Sequence, residues 1–263
     1  MTSFLCKACG TQFPESEEPP AACPICADER QYIPEEGQDW IAYDDVRARH
    51  HADIREEQPR LTGIGMKPSF GIGQRALLVE SSGGNVLWDC LPLLAAHEEL
   101  VRARGGLAAI AISHPHYFTT MVEWARAFGC PVLVPEADRE WVMRPDAAVE
   151  FWSGDLRELW DGLTLQRLGG HFAGGQVLHW PDGDALLAGD IVQVLPGGHW
   201  VSFMYSYPML IPLPAHEVER IAAALEPWEF GRIYGAWWGR VVRADGNDVV
   251  RRSAERYVRA LRP

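Results

Sequence analysis

The chain has 263 residues, 47% of them apolar and 23% charged. That composition excludes intrinsic disorder, and the length allows one large domain with a small appendage. With 36 acidic residues against 24 basic ones the formal charge is −12, so neither nucleic acid nor an anionic membrane is an expected partner.

Taken in order, the chain opens on cysteine. Cys6, Cys9, Cys23 and Cys26 fall in the first 26 residues, around an acidic, proline-rich bridge from Phe13 to Pro20 that has little to bury and reads as a loop. Residues 1–30 form a cysteine module and residues 31–61 a polar connector, with a helix expected from Asp44 to Glu57 and ended by Pro59. The body, residues 62–263, alternates strands and helices. Ala76 to Glu80 and Val86 to Cys90 read as a hairpin across Gly83-Gly84-Asn85. Leu91 to Arg104 follows as a helix stopped by Gly105-Gly106. Leu107 to Ile112 is an apolar strand, Thr119 to Phe128 a helix, Val132 to Val134 a buried strand and Glu136 to Met143 a short helix. Four strands come next, Leu163 to Leu168, Gln176 to Trp180, Ala185 to Leu187 and Ile191 to Val194. A helix from Ala215 to Leu225, a strand from Arg232 to Tyr234 and an amphipathic helix from Asn247 to Leu261 close the chain. The run Arg251, Arg252, Arg256, Arg259 and Arg262 reads as the solvated side of this last helix. Strands in two groups with helices outside predict an α/β (α+β) fold with αββα layers.

Neither a basic-then-apolar leader nor 18 consecutive apolar residues is visible. A reducing cytoplasm is therefore expected, with the clustered cysteines as metal ligands in place of disulfides. Cys90 and Cys130 stand among apolar neighbours and read as buried small hydrophobes. Cys6-x-x-Cys9 and Cys23-x-x-Cys26, 13 residues apart, each present two thiolates, and four sulfurs close a tetrahedral site. A module this small has almost no core, so a structural metal is the expected substitute. Cys6-Lys7-Ala8-Cys9-Gly10 and Cys23-Pro24-Ile25-Cys26 resemble both zinc ribbons and rubredoxin-like iron modules. Zinc is favoured because Ala27-Asp28, and no glycine, follows Cys26; iron stays open.

A second cluster sits at strand ends. Ser113-His114-Pro115-His116 follows an apolar strand, His171 lies in Gly169-Gly170-His171-Phe172-Ala173-Gly174-Gly175, and Gly189-Asp190 follows Ala185 to Leu187. Glycines let the backbone approach closely there, and a turn at Pro115 can bring both imidazoles to one side.

These motifs, with the hairpin glycines Gly83-Gly84 leading to Asp89, resemble in order and spacing the metallo-β-lactamase superfamily over residues 62–263. The resemblance implies the αββα sandwich and one metal held by His114, His116 and His171, with Asp190 as fourth ligand or as catalytic base. The residues special to the family's second metal are absent: Phe118-Thr119 replaces Asp-His, and Tyr234-Gly235-Ala236-Trp237-Trp238-Gly239 occupies the place of the last His. Tyr117, Phe118, Phe151, Trp152, Trp237 and Trp238 are candidates for the walls of an apolar substrate pocket.

The expected function is metal-dependent hydrolysis of a small-molecule ester, thioester, amide or phosphoester at a mononuclear zinc or other divalent metal. Two readings stay open beside it. One is a non-catalytic metal-binding protein with a degenerate site, and the other an iron redox protein that uses the four-cysteine head. A homo-oligomer is also left open.

Overall fold

Ala76-Leu77-Leu78-Val79 is apolar at every position because both faces of its strand are covered. Leu77 and Val79 point into a layer shared with a second sheet, whereas Ala76 and Leu78 point into a layer under helices. The computed structural model describes residues 1–262 and repeats this arrangement throughout.

The head comprises β1 (Phe4–Cys6), a single helical turn α1 (Pro24–Ala27) and β2 (Trp40–Ala42), with β1 and β2 antiparallel and Cys6 opposite Trp40. After α2 (Tyr43–Arg49) comes a seven-stranded sheet of β3 (His51–Gln58), β4 (Leu61–Lys67), β5 (Ala76–Val79), β6 (Val86–Trp88), β7 (Ala109–Ala111), β8 (Val132–Pro135) and β9 (Val149–Trp152), in that spatial order. Its first four strands pair antiparallel and its last four parallel, with α3 (Ala95–Ala103) and α4 (Met121–Phe128) as crossovers. A six-stranded sheet packs on it, built from β10 (Leu156–Glu158), β11 (Thr164–Arg167), β12 (Gln176–Trp180), β13 (Ala185–Gly189), β18 (Arg232–Gly235) and β19 (Val241–Val242). Two short hairpins, β14 (Gln193–Val194) with β15 (Val201–Ser202) and β16 (Met204–Ser206) with β17 (Ile211–Pro212), precede α5 (Ala215–Leu225). β18 (Arg232–Gly235) runs parallel to β13, β19 (Val241–Val242) forms the edge, and α6 (Gly246–Leu261) lies with α5 on the outer face.

The three layers of core follow from strand alternation. Trp88, Leu133, Leu165, Leu178 and Leu187 fill the space between the sheets. Leu78, Leu87, Ile110 and Val132 pack under α3 and α4, and Val177, Leu186 and Ile233 pack under α5 and α6. The result is the αββα sandwich, with α helices outside two β sheets.

One expected element is different. The helix expected from Asp44 to Glu57 stops at Arg49, and His51–Gln58 is instead the edge strand β3. Its charged residues suit helix and strand alike by local preference. Pairing with β4 decides, set by a tight turn in which Arg60 adopts a φ of 65°. The segment 31–61 thus supplies β2 to the head and β3 to the sheet.

His97 on α3 illustrates the cost of burial. It is fully buried, with Nε2 3.0 Å from the Gly65 carbonyl, Nδ1 accepting the Leu94 N–H at 3.3 Å, and its ring stacked on Trp124. Burial pushes its pKa down to about 4, so between pH 6.5 and 4 the unfolded chain binds a proton that the folded chain refuses. Stability from this position is therefore lost as pH falls. Relative to His97→Gln, the wild type is expected to lose about 3 kcal/mol of unfolding free energy between pH 7 and pH 4, measured by denaturant titration across pH.

Candidate metal centres

In the head, the two cysteine knuckles face each other. Cys6 Sγ lies 3.6 Å from Cys26 Sγ and Cys9 Sγ 3.7 Å from Cys23 Sγ, all four side chains are buried, and none is disulfide-bonded. Thiolates bound tetrahedrally to one ion at about 2.3 Å stand about 3.8 Å apart, so the four sulfurs fit a single zinc or iron. Their ionisations are shared: contacts among the four thiols pull Cys6 and Cys23 down and push Cys9 and Cys26 up. Little else fills the module, chiefly Phe13 and Ile25.

In the body, strand ends from both sheets converge on one site: parallel β7 of the first sheet, and the antiparallel β11–β12 connection and β13 of the second. β7 delivers Ser113-His114, a single 3-10 turn carries His116, the loop between β11 and β12 carries His171, and Asp190 directly follows β13. The ligating atoms of His114, His116 and His171 lie within 4.8 Å of one another, all buried. His116 Nδ1 and His171 Nε2 are 3.2 Å apart, against about 3.3 Å for two imidazoles on one tetrahedral zinc. Asp190 Oδ1 stands 3.2 Å from His114 Nε2.

The surrounding hydrogen bonds orient these rings. His171 Nδ1 donates to the Tyr205 carbonyl at 2.6 Å, which leaves Nε2 with a free lone pair, and His114 Nδ1 lies 3.0 Å from Ser113 Oγ. Asp89, at the end of β6, accepts the Ser113 N–H at 2.7 Å and so holds the loop. Gly189 permits the approach of β13: at φ 56° a Cβ there would fall 2.4 Å from Ser113 Oγ.

Electrostatics at this point favour a cation. Burial pushes all three histidines down, His171 to about 4, so the imidazoles are neutral at pH 7, the form in which they could bind a metal. Burial, then the Asp89 charge, pushes Asp190 up to about 8, and a bound cation would bring it back down. His114 Nε2, His116 Nε2, Tyr117 Oη and Asp190 Oδ1 are buried without hydrogen-bond partners. A divalent ion at the three imidazoles would engage His114 Nε2 and stand close to the Asp190 carboxylate, and neutral imidazoles are donors that zinc accepts.

A cavity of about 420 Å³ opens onto His116, His171, Asp190 and Trp237. Tyr117 is buried beside it, its ring centroid 4.3 Å from that of His114. The other aromatic candidates lie elsewhere. Phe118 turns into the core under α4, Trp152 joins the layer between the sheets, and Phe151 packs under Arg139. Trp238 points away from Trp237 onto Gly63 and Gly65 of β4, beneath Arg55 and Arg75. The pair sits in the turn between β18 and β19, closed by the Arg240 N–H donating to the Trp237 carbonyl at 3.1 Å, and of the two Trp237 reaches the cavity. Sequence reasoning missed Tyr32, Pro34, Ile72 and Tyr207, which also line it; no motif marks them.

Two packed sheets, outer helices and a cluster of three histidines able to hold a metal at the strand ends define a metallo-β-lactamase fold. Solved structures agree: DIM-1 metallo-β-lactamase exposed to ceftazidime superposes with a TM-score of 0.61 at 16% identity over 81% of this chain and 98% of its own. FIM-1 from Pseudomonas aeruginosa in its mono-zinc form gives 0.60 at 15% identity over 81% and 97%, and a metallo-β-lactamase from Hirschia baltica 0.55 at 18% over 78% and 97%. No protein-family model matches the chain. The chain belongs to the same family as the uncharacterized protein YmaE of Bacillus subtilis (strain 168), to which it is 47% identical over 268 residues, covering 99% of this chain and 97% of that one.

Proposed function

We propose that the protein is a mononuclear zinc hydrolase of small esters and thioesters, with a second, structural zinc in the head. The observation that carries this reading is the open cavity whose lining includes His116, His171 and Asp190; a purely structural metal site has no need of access. A zinc held by His114, His116 and His171 supplies Lewis acidity, which polarises a carbonyl and makes water a stronger acid. The chain's own contribution is orientation and proton transfer. Ser113, Asp89 and the Tyr205 carbonyl fix the rings, and Asp190, once ionised, accepts the proton of the attacking water.

Esters are favoured over phosphoesters because the cations near the cavity are already engaged, Lys7 by Asp39 and Arg30 by Asp28. The loss of the second-metal residues favours the alternative, a non-catalytic metalloprotein. A screen of ester, thioester, lactone and phosphodiester probes separates the two. Hydrolysis that vanishes in His171→Ala supports the hydrolase, and inertness of the fully loaded chain toward every probe overturns it. Iron in the head is tested in the same preparation by visible sulfur-to-iron absorption.

Asp190→Asn is expected to lower kcat by about 10²–10⁴-fold while the metal content by elemental analysis stays unchanged. Because the carboxyl must ionise to accept a proton, activity should rise with pH in the wild type, and that rise should be missing in Asp190→Asn. Loss of a metal from this variant would instead make Asp190 a ligand.

A further inference from the structure

The cavity over the histidines is built by both parts of the chain. Lys7 and Ala8 of the first cysteine knuckle, and Gln31, Tyr32 and Pro34 just beyond the second, line it together with Ile72, Pro208 and Trp237 of the body. The residues leading into that stretch are tied to the metal loop and its neighbour. Tyr205 Oη donates to Glu29 Oε1 at 2.6 Å, Ser206 Oγ to the Arg30 carbonyl at 2.9 Å, and Arg30 Nη1 to the His171 carbonyl at 3.3 Å. The Arg30 guanidinium also lies 4.0 Å over the Phe172 ring. On the other side the Gln12 N–H donates to the Thr119 carbonyl at 3.2 Å.

Beside the polar Lys7 and Gln31, most of this wall is apolar: Ala8, Tyr32, Pro34, Ile72, Pro208 and Trp237. Beside Pro34 and Pro208, large hydrophobic side chains stand in water: Tyr32 is 57% exposed, Ile33 46%, Met209 51% and Leu210 77%. Leu210 adopts a left-handed φ of 57° at the hairpin tip. Exposed apolar side chains gathered beside a concave site mark where a ligand's apolar part is covered.

We infer that the four-cysteine module is a wall of the ligand site and that this wall takes an apolar acyl chain, with Tyr32 as a specificity-determining residue. The inference rests on the hydrolase reading for its chemistry. Water oxygen adds to the acyl carbon, the bond to the alcohol oxygen or thiol sulfur breaks, and the proton taken by Asp190 passes to that leaving group, giving the carboxylic acid and the alcohol or thiol.

The test uses the full-length, metal-loaded chain and two readouts. Calorimetry with acetate and hexanoate is expected to show hexanoate bound at least tenfold tighter by the wild type, since each buried methylene is worth roughly fourfold. In Tyr32→Ala the ratio should fall below threefold, with the metal content unchanged. In parallel, kcat/KM for nitrophenyl esters should climb from acetyl to hexanoyl in the wild type and flatten in Tyr32→Ala. Equal binding of acetate and hexanoate by the wild type, or an unaltered preference in Tyr32→Ala, overturns the inference. Hydrolysis independent of chain length also overturns it and leaves the hydrolase reading intact. No hydrolysis, with a Tyr32-dependent preference for hexanoate, supports the wall and removes the hydrolase.

Discussion

Replacing His116 by alanine is expected to leave the chain with one metal where the wild type holds two, and to cut ester hydrolysis by more than about 100-fold, the upper cost of disturbing only a ligand's hydrogen-bond partner. The reason is geometric. His116 Nδ1 faces His171 Nε2 at 3.2 Å, and a site built on three imidazoles cannot close with two. The fold should persist, because His116 sits on a single 3-10 turn and the layers on either side are held by the sheets. Elemental analysis and a thermal melt check both halves of the expectation. A metal that stays at full occupancy in His116→Ala would place the body ion elsewhere.

Cys9→Ser is expected to remove the other metal and unfold the head locally while leaving the sandwich folded. Structural zinc in small modules contributes about 10–16 kcal/mol of apparent binding free energy, and the few buried side chains of the head, Phe13 and Ile25 among them, cannot replace it. Hydrogen exchange should show Cys6 to Thr11 and Cys23 to Asp28 losing protection while β5 to β8 keep theirs. The body metal should remain bound, since no cysteine belongs to the histidine group. Loss of both metals together, or unchanged protection in the head, would contradict this layout.

The amino-acid sequence by itself determined the local features. Two Cys-x-x-Cys knuckles specify four sulfurs in one small module, because ligand spacing is a local property. Apolar strands bounded by glycine and charged residues specify buried sheets under helices, because burial on both faces demands continuous hydrophobicity. His114, His116, His171 and Asp190 could be named because each follows or adjoins a short apolar strand beside glycine or proline. Tertiary structure alone decided the rest. It made His51–Gln58 a strand, since β4 supplies hydrogen bonds that local preference does not encode. It sent Trp237 to the cavity and Trp238 to β4, and buried Phe118 in the core. It brought Tyr32 and Pro34 beside His171, about 140 positions away along the chain. No spacing rule reaches that far: the contact exists because Glu29 and Arg30 are tied to Tyr205, Ser206 and His171, partners that become neighbours only after the sandwich has formed.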